Sequence, residues 1–232
     1  MVHSCANATS STNDKSDYNN AAWFYDTLAR IIFGKAINKS QTCFFKKIDS
    51  GSSILIIGGG TGWILDEIAQ RQSDGLEIVY VEKSSKMINA ARKRLTGLNK
   101  VIFIHEAVEN SVFNKSFDIV ITSFLFDSFS NSTINIVFQK LAVKLKPGGL
   151  WLYSDFIEPK KLWHKLLLNS MYAFFKVVCK IEADNLPDLT LLFKKFNLDL
   201  IDENSFYGNF ITGRIYKNRL NDGRSVDQKK HD

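Results

Sequence analysis

The chain has 232 residues, 45% of them apolar, which is enough for one large domain with its own core. The net charge of +6 is dispersed: residues 1–50 carry 6 basic and 4 acidic side chains, residues 51–154 carry 11 and 9, and residues 155–232 carry 13 and 11. No basic arm or stripe results, which argues against a nucleic-acid surface. Cys5, Cys43 and Cys179 are far apart, which argues against a disulfide framework or a zinc site and fits a reducing, cytoplasmic setting.

Residues 1–17, rich in Ser, Asn, Thr and Asp, read as a disordered N-terminus without the apolar stretch of a secretory signal. Residues 18–217 read as a single domain. It opens with a helical segment over 20–47, where Trp23, Phe24, Leu28, Ile31 and Ile32 recur near helical spacing. Strand and helix then alternate. Strands are expected at 54–57, 76–81, 101–104, 118–122 and 150–154. Helices are expected at 63–72, at 85–95 with Ser84 as N-cap, and at 133–145, ended by Pro147-Gly148-Gly149. Two further helices, at 160–180 and 187–196, form a helical insertion, and strands at 198–203 and 209–216 close the domain. Residues 218–232 read as a disordered tail, and no apolar run reaches the about 18 residues of a membrane span.

Such alternation builds right-handed β-α-β units, hence an α/β fold: a Rossmann-like three-layer sandwich around a seven-stranded, mainly parallel sheet. The last two strands are joined by too few residues for a crossover, so the C-terminal strand is expected to be antiparallel.

The first strand runs into glycines as ILIIGGGTGW, residues 54–63. The dinucleotide fingerprint G-x-G-x-x-G/A finds Gly58 and Gly60, but its third position is Trp63, a poor substitute where helix and strand must pack closely. The phosphate loop G-x-x-x-x-G-K-[ST] fails too, since Ile64-Leu65 stand where Lys and Ser/Thr belong. Glu82, at the end of the second strand about 20 residues further on, is placed to accept hydrogen bonds from both hydroxyls of a ribose, or else is an acid favoured by the following helix dipole.

ILIIGGGTGW followed by VYVEKSSKMINAAR resembles the start of class I S-adenosylmethionine-dependent methyltransferases. FIHEAVEN at 103–110, SFDIVITSFLFDSF at 116–129 and LKPGGLWLYSDF at 145–156 continue the resemblance in order. The resemblance implies S-adenosyl-L-methionine as cofactor and S-adenosyl-L-homocysteine as product. Gly58, Gly59, Gly60 and Gly62 would let the backbone approach it, and Glu82 would bind its ribose. Lys83 and Met87 would lie near its adenine, and Thr122 and Ser123 would face its sulfonium end. Relatives often carry Gly-Asp after the third strand; here Glu106 and Ala107 stand there. Adenine is then held by the backbone of Ala107 and Val108, or by Glu106 or Glu109. Trp23–Ala29 is similar to the YDxLA segment of quinone-biosynthesis and related small-molecule methyltransferases, which would bring Tyr25 over the cofactor.

Methyl transfer is an in-line displacement, so the protein supplies alignment and a dry site, with a base only where the acceptor must lose a proton. Asp127 is the candidate catalytic residue, as base or as acceptor-orienting group, against the plainer reading of a helix-preceding cap. Phe124, Asp127 and Trp163 are candidate substrate contacts. On the 160–180 helix, Lys161, Lys165, Asn169, Lys176 and Lys180 form a narrow polar stripe. The broad apolar remainder is expected to serve as core and lid, with peripheral membrane contact as the other reading. His105 and His164 read as structural. The Asp/Asn-Pro-Pro-aromatic and Pro-Cys motifs of DNA methyltransferases are missing, so the expected partner is a small apolar or aromatic acceptor, with no nucleic acid and no metal. The alternatives are a non-catalytic member of the same fold that binds S-adenosylmethionine or a protein partner, and, further off, an NAD-dependent oxidoreductase.

Overall fold

Runs such as Ser-Ile-Leu-Ile-Ile and Glu-Ile-Val-Tyr-Val are too short for helices and too apolar for a surface, and they fold as strands covered on both faces. The computed structural model describes residues 31–159, 161–179 and 186–219, with 174–179 described by backbone alone. Its elements are α1 (Ala36–Thr42), β1 (Ser53–Ile57), α2 (Trp63–Arg71), β2 (Glu77–Val81), α3 (Ser85–Ala91), β3 (Lys100–Ile104) and β4 (Phe117–Ser123). They continue with α4 (Asn131–Ala142), β5 (Leu145–Phe156), α5 (Leu162–Cys179), α6 (Thr190–Lys195), β6 (Leu198–Phe206) and β7 (Ile211–Asn218).

The seven strands lie in the order β3-β2-β1-β4-β5-β7-β6. β1 to β5 pair in parallel, and β7 runs antiparallel to both β5 and β6. The reversal expected at the C-terminus is therefore present. Strand order changes direction between β1 and β4, and at such a switch point the loops diverge and leave a crevice at the carboxyl ends of the strands.

Alternation along each strand divides the core into two layers. Leu55, Val79, Val120 and Trp151 face α4 and α6, where Phe138 and Phe193 pack on Trp151 at centroid distances of 4.8 and 5.4 Å. Ile54, Ile56, Tyr80 and Ile121 face the other way, against Ile64, Leu65 and Ile68 of α2 and Ala91 of α3. A third cluster, around Phe33, Phe156, Phe210 and Ile211, closes the strand ends beneath α5. All three rest on the same physics: apolar area leaves water at about 25 cal/mol per Å².

Four expectations change. The segment 20–47 is not one helix over its described part: residues 31–33 are helical, the chain turns at Gly34 (φ 57°), and α1 begins at Ala36. Gly34 takes the left-handed conformation that ends helices. Next, α4 stops at Ala142, and Lys146-Pro147-Gly148-Gly149 belongs to β5. A register shift between Phe117 and Ile119 absorbs the extra residues, which is a bulge. Asn218, read from the sequence as the start of the tail, is instead buried at the end of β7, where its side-chain amide donates to the carbonyls of Leu145 and Lys146. Helix 187–196 shortens to α6, with Thr190 N–H donating to the Asp188 carboxylate.

Candidate active site

A cavity of about 360 Å³ opens at the switch point. Sheet order arranges its walls. The ends of β2 and β3 contribute Lys83, Met87, Glu106, Val108 and Glu109; the glycine loop after β1 forms the floor; and the end of β4 contributes Ser123, Phe124, Leu125, Ser128 and Phe129. α1 covers the crevice with Ile37, Asn38 and Gln41.

Each glycine of the loop does a different job. Gly58 (φ 65°) starts the turn and its N–H donates to the Val81 carbonyl at 2.9 Å. A Cβ on Gly59 would stand 2.4 Å from the Tyr80 ring, whose hydroxyl donates to the Gly60 carbonyl at 3.0 Å. Gly60 (φ 63°) would direct a Cβ into open space, so there the backbone itself faces the cavity. Gly62 (φ 80°) is the N-cap of α2, and a Cβ on it would meet the Ala91 backbone at 2.7 Å. Gly62 thus does the close-packing work that the dinucleotide fingerprint assigns to its third glycine, and it does not line the cavity.

Glu82 is 6% exposed and sits under this loop. Its Oε2 accepts from Gly60 N–H at 3.1 Å and its Oε1 from Ser84 N–H at 2.8 Å. Burial pushes its pKa above the usual carboxylate range, and the two amide donors oppose that shift. Ser84 caps α3 as expected, accepting from Met87 N–H. His105 is structural, with Nε2 against the Lys83 carbonyl at 3.1 Å.

Beyond Glu82, the turn after β3 is closed on itself. Ala107 N–H donates to Glu106 Oε1, and its carbonyl accepts from Asn110 N–H, Ser111 N–H and the Ser111 hydroxyl. Lys140 of α4 reaches across and donates to the carbonyls of Val108, Glu109 and Ser111. Ala107 therefore stays out of the lining, and Val108, Glu106 and Glu109 provide it.

At the other end, successive residues of β4 point to opposite faces. Thr122 is buried and its hydroxyl accepts from the Trp151 indole N–H at 2.8 Å, so it is turned from the cavity. Ser123 takes the cavity side, where its buried Oγ has no hydrogen-bond partner among the described residues. Phe124 (φ 50°) then turns the chain in a conformation rare for a bulky residue. It is held by its N–H on the Ser154 carbonyl and by its ring against Phe156 at 4.9 Å.

Asp127 is not brought to the cavity. Burial pushes its pKa up to about 7, and the neighbouring carboxyl of Asp155 is raised by burial and then by the Asp127 charge. Asp155 also accepts from the Phe156 N–H and the Tyr153 hydroxyl. Trp163 is 48% exposed on α5, against Tyr207, and does not line the cavity either. Tyr25 lies outside the described residues.

Sequence reasoning missed Ile37, Asn38 and Gln41. Tertiary contacts bring them in: Ser154 Oγ donates to the Ser40 carbonyl at 2.9 Å, and a Cβ on Gly213 would stand 2.5 Å from that same oxygen. Nothing local to residues 37–41 announces this docking.

The cavity's donor set fits an adenosyl cofactor: an acid under the loop with acceptor capacity to spare, a backbone open at Gly60, and an orphaned buried hydroxyl on Ser123. Residues 54–149 match the family model of a methyltransferase domain. The ubiquinone/menaquinone biosynthesis C-methyltransferase UbiE of Coxiella burnetii (strain Dugway 5J108-111) is 27% identical over 117 residues, 49% of this chain and 46% of that protein. The phosphoethanolamine N-methyltransferase of Plasmodium falciparum (isolate 3D7) is 28% identical over 119 residues, 50% of this chain and 43% of that one. The chain thus spans less than half the length of the curated relatives it matches. Among solved structures, Burkholderia thailandensis 1,6-didemethyltoxoflavin-N1-methyltransferase, with bound 1,6-didemethyltoxoflavin and S-adenosylhomocysteine, superposes with a TM-score of 0.62. It is 11% identical and covers 87% of this chain and 86% of that one. Residues 54–149 thus carry a methyltransferase domain, set in a seven-stranded sheet of the Rossmann-like methyltransferase fold.

Proposed function

We propose that this chain methylates a small apolar or aromatic acceptor with S-adenosylmethionine. The observation that carries the reading is the two-ended character of one cavity. One end offers glycine backbone and carboxylates, and the other offers Phe124, Leu125, Phe129 and Ile37. When bound, the cofactor supplies an activated methyl carbon on a sulfonium leaving group.

The chain's residues then divide the work. Gly58, Gly59 and Gly60 admit the cofactor to the backbone, and Glu82 accepts from the ribose hydroxyls. Lys83, Met87 and Val108 flank the adenine. With the Ala107 amide and carbonyl spent inside its turn, Glu106 and Glu109 are the groups left to meet the adenine amine. Ser123 Oγ faces the reactive end, and the phenyl rings of Phe124 and Phe129 hold the acceptor and exclude water. The name of the Coxiella relative speaks of a C-methyltransferase of quinone biosynthesis and that of the Plasmodium relative of N-methylation. The apolar lining favours a ring acceptor of the first kind.

The test is a calorimetric titration with S-adenosylmethionine and with NADH, followed by a methyl-transfer screen over quinols, phenols and lipids. Binding of the sulfonium compound and turnover of an apolar ring substrate are expected. NADH binding without a response to S-adenosylmethionine overturns the reading. Persistent silence in the screen despite cofactor binding favours the non-catalytic alternative.

A further inference from the structure

α5 is amphipathic in an unusual sense. Its inner face is core: Leu167, Leu168 and Met171 pack on the cluster of Phe33, Phe156 and Phe210, and the buried His164 ring stacks on Phe210 at 4.8 Å. Its outer face mixes large apolar side chains with the polar ones of a solvent-facing helix, Asn169 and Ser170 being exposed between Leu166 and Ala173. Leu162 is 85% exposed, Leu166 73% and Trp163 48%, and Ala173 shares the face. Spacing of i, i+4 and i+11 puts Leu162, Leu166 and Ala173 on one line. Between Glu158 and Glu182 the chain has five lysines (160, 161, 165, 176 and 180) and no acid. Lys161 and Lys165 are exposed beside the two leucines.

We propose that the outer face of α5 lies on an anionic lipid surface, with Leu162, Trp163 and Leu166 in the headgroup boundary and Lys161 and Lys165 on lipid phosphates. The chemistry selects this partner. Exposed leucines with an indole at the edge match the apolar boundary, and a lysine-only flank matches negative headgroups. Among the described residues no helix is long and apolar enough to cross a membrane, so the helix lies in the interface plane. The inner face of α5 packs in the same cluster as Phe124, which lines the cavity. The surface contact itself does not depend on methyl transfer.

The experiment uses the full chain with sedimented vesicles of pure phosphatidylcholine and of phosphatidylcholine containing phosphatidylglycerol. Binding to the anionic vesicles, weakened by salt, is expected. Both Leu162→Asp/Leu166→Asp and Lys161→Gln/Lys165→Gln should lower partitioning on the order of tenfold or more. Because these side chains are exposed and outside the cavity, both variants should keep the wild-type melting temperature and S-adenosylmethionine affinity. Brominated lipid should quench wild-type tryptophan emission more than that of Trp163→Phe. Three results overturn the proposal: no partitioning into either vesicle, equal partitioning into both, or a dimer in sedimentation equilibrium that Leu162→Asp/Leu166→Asp dissolves. The last would assign the face to a second copy of the chain. The lysine variant leaves the apolar face intact, so it tests the idea even if the aspartates disturb folding.

Discussion

Replacing Glu82 with Ala perturbs the site at its most connected residue. The carboxylate has about four acceptor positions. Gly60 N–H and Ser84 N–H donate to it, at 3.1 and 2.8 Å, and the residue also lines the cavity. Loss of the ribose bonds costs about 1–3 kcal/mol, so the dissociation constant for S-adenosylhomocysteine should rise roughly 5- to 150-fold. The same substitution orphans two backbone donors, at about 1–3 kcal/mol each when buried, and a chain of this size loses about 2–4 °C of melting temperature per kcal/mol. Glu82→Gln keeps one acceptor oxygen and should fall between wild type and Ala in both measurements. Calorimetric titration reads the affinity, and thermal unfolding of the free protein reads the loop. An unchanged affinity in a folded Glu82→Ala protein would refute the assignment of this acid to the ribose.

Three further outcomes follow from the geometry. Gly59→Ala drives a methyl into the Tyr80 ring and should cost stability by several kcal/mol. Gly60→Ala meets nothing and should cost only the about 1–2 kcal/mol of left-handed strain while weakening cofactor affinity more than stability; melting curves paired with titrations separate the two. Lys140→Met removes the donor shared by three carbonyls of the turn after β3. It should destabilise by about 1–3 kcal/mol and loosen cofactor binding through Val108 and Glu109, visible as faster amide exchange over residues 107–111. Asp127, with its pKa raised to about 7 against 3.8, keeps its proton in the folded chain where the unfolded chain has released it. Stability should therefore fall as pH rises from about 4 to 7, and denaturant titrations of Asp127→Asn should show a flatter profile over that window.

Much of this fold is legible in the sequence because parallel strands buried on both faces leave short, unbroken apolar runs between amphipathic helices. Ile54–Ile57 and Ile78–Val81 have little else they can be. Glu82 is legible for a related reason: an acid ending such a strand stands at the carboxyl edge of the sheet. The extension of β5 back to Leu145 was hidden, since Pro147-Gly148-Gly149 reads as a helix stop and the bulge opposite Phe117 exists only in pairing. Thr122 and Ser123 show the limit within a strand. Alternation says that one of them faces the cavity, and only the need of the buried Trp151 indole for an acceptor decides which. Asp127 and Trp163 stand outside the cavity lining for a similar reason, since a loop position and a helix face do not say which neighbour takes the side chain. The Asp127 charge acts on the carboxyl of Asp155, and Trp163 lies half-exposed beside Tyr207. Ile37, Asn38 and Gln41 depend on Ser154 and Gly213, more than a hundred residues away, and no local pattern carries that.

We assign the crevice between β1 and β4 to S-adenosylmethionine. A crystal structure of the chain with S-adenosylhomocysteine tests it most directly. The claim predicts the ribose hydroxyls on the Glu82 carboxylate, the backbone of Gly58–Gly60 against the ligand, and the thioether end beside Ser123. Ligand bound elsewhere, or a crevice with Glu82 untouched, would contradict it.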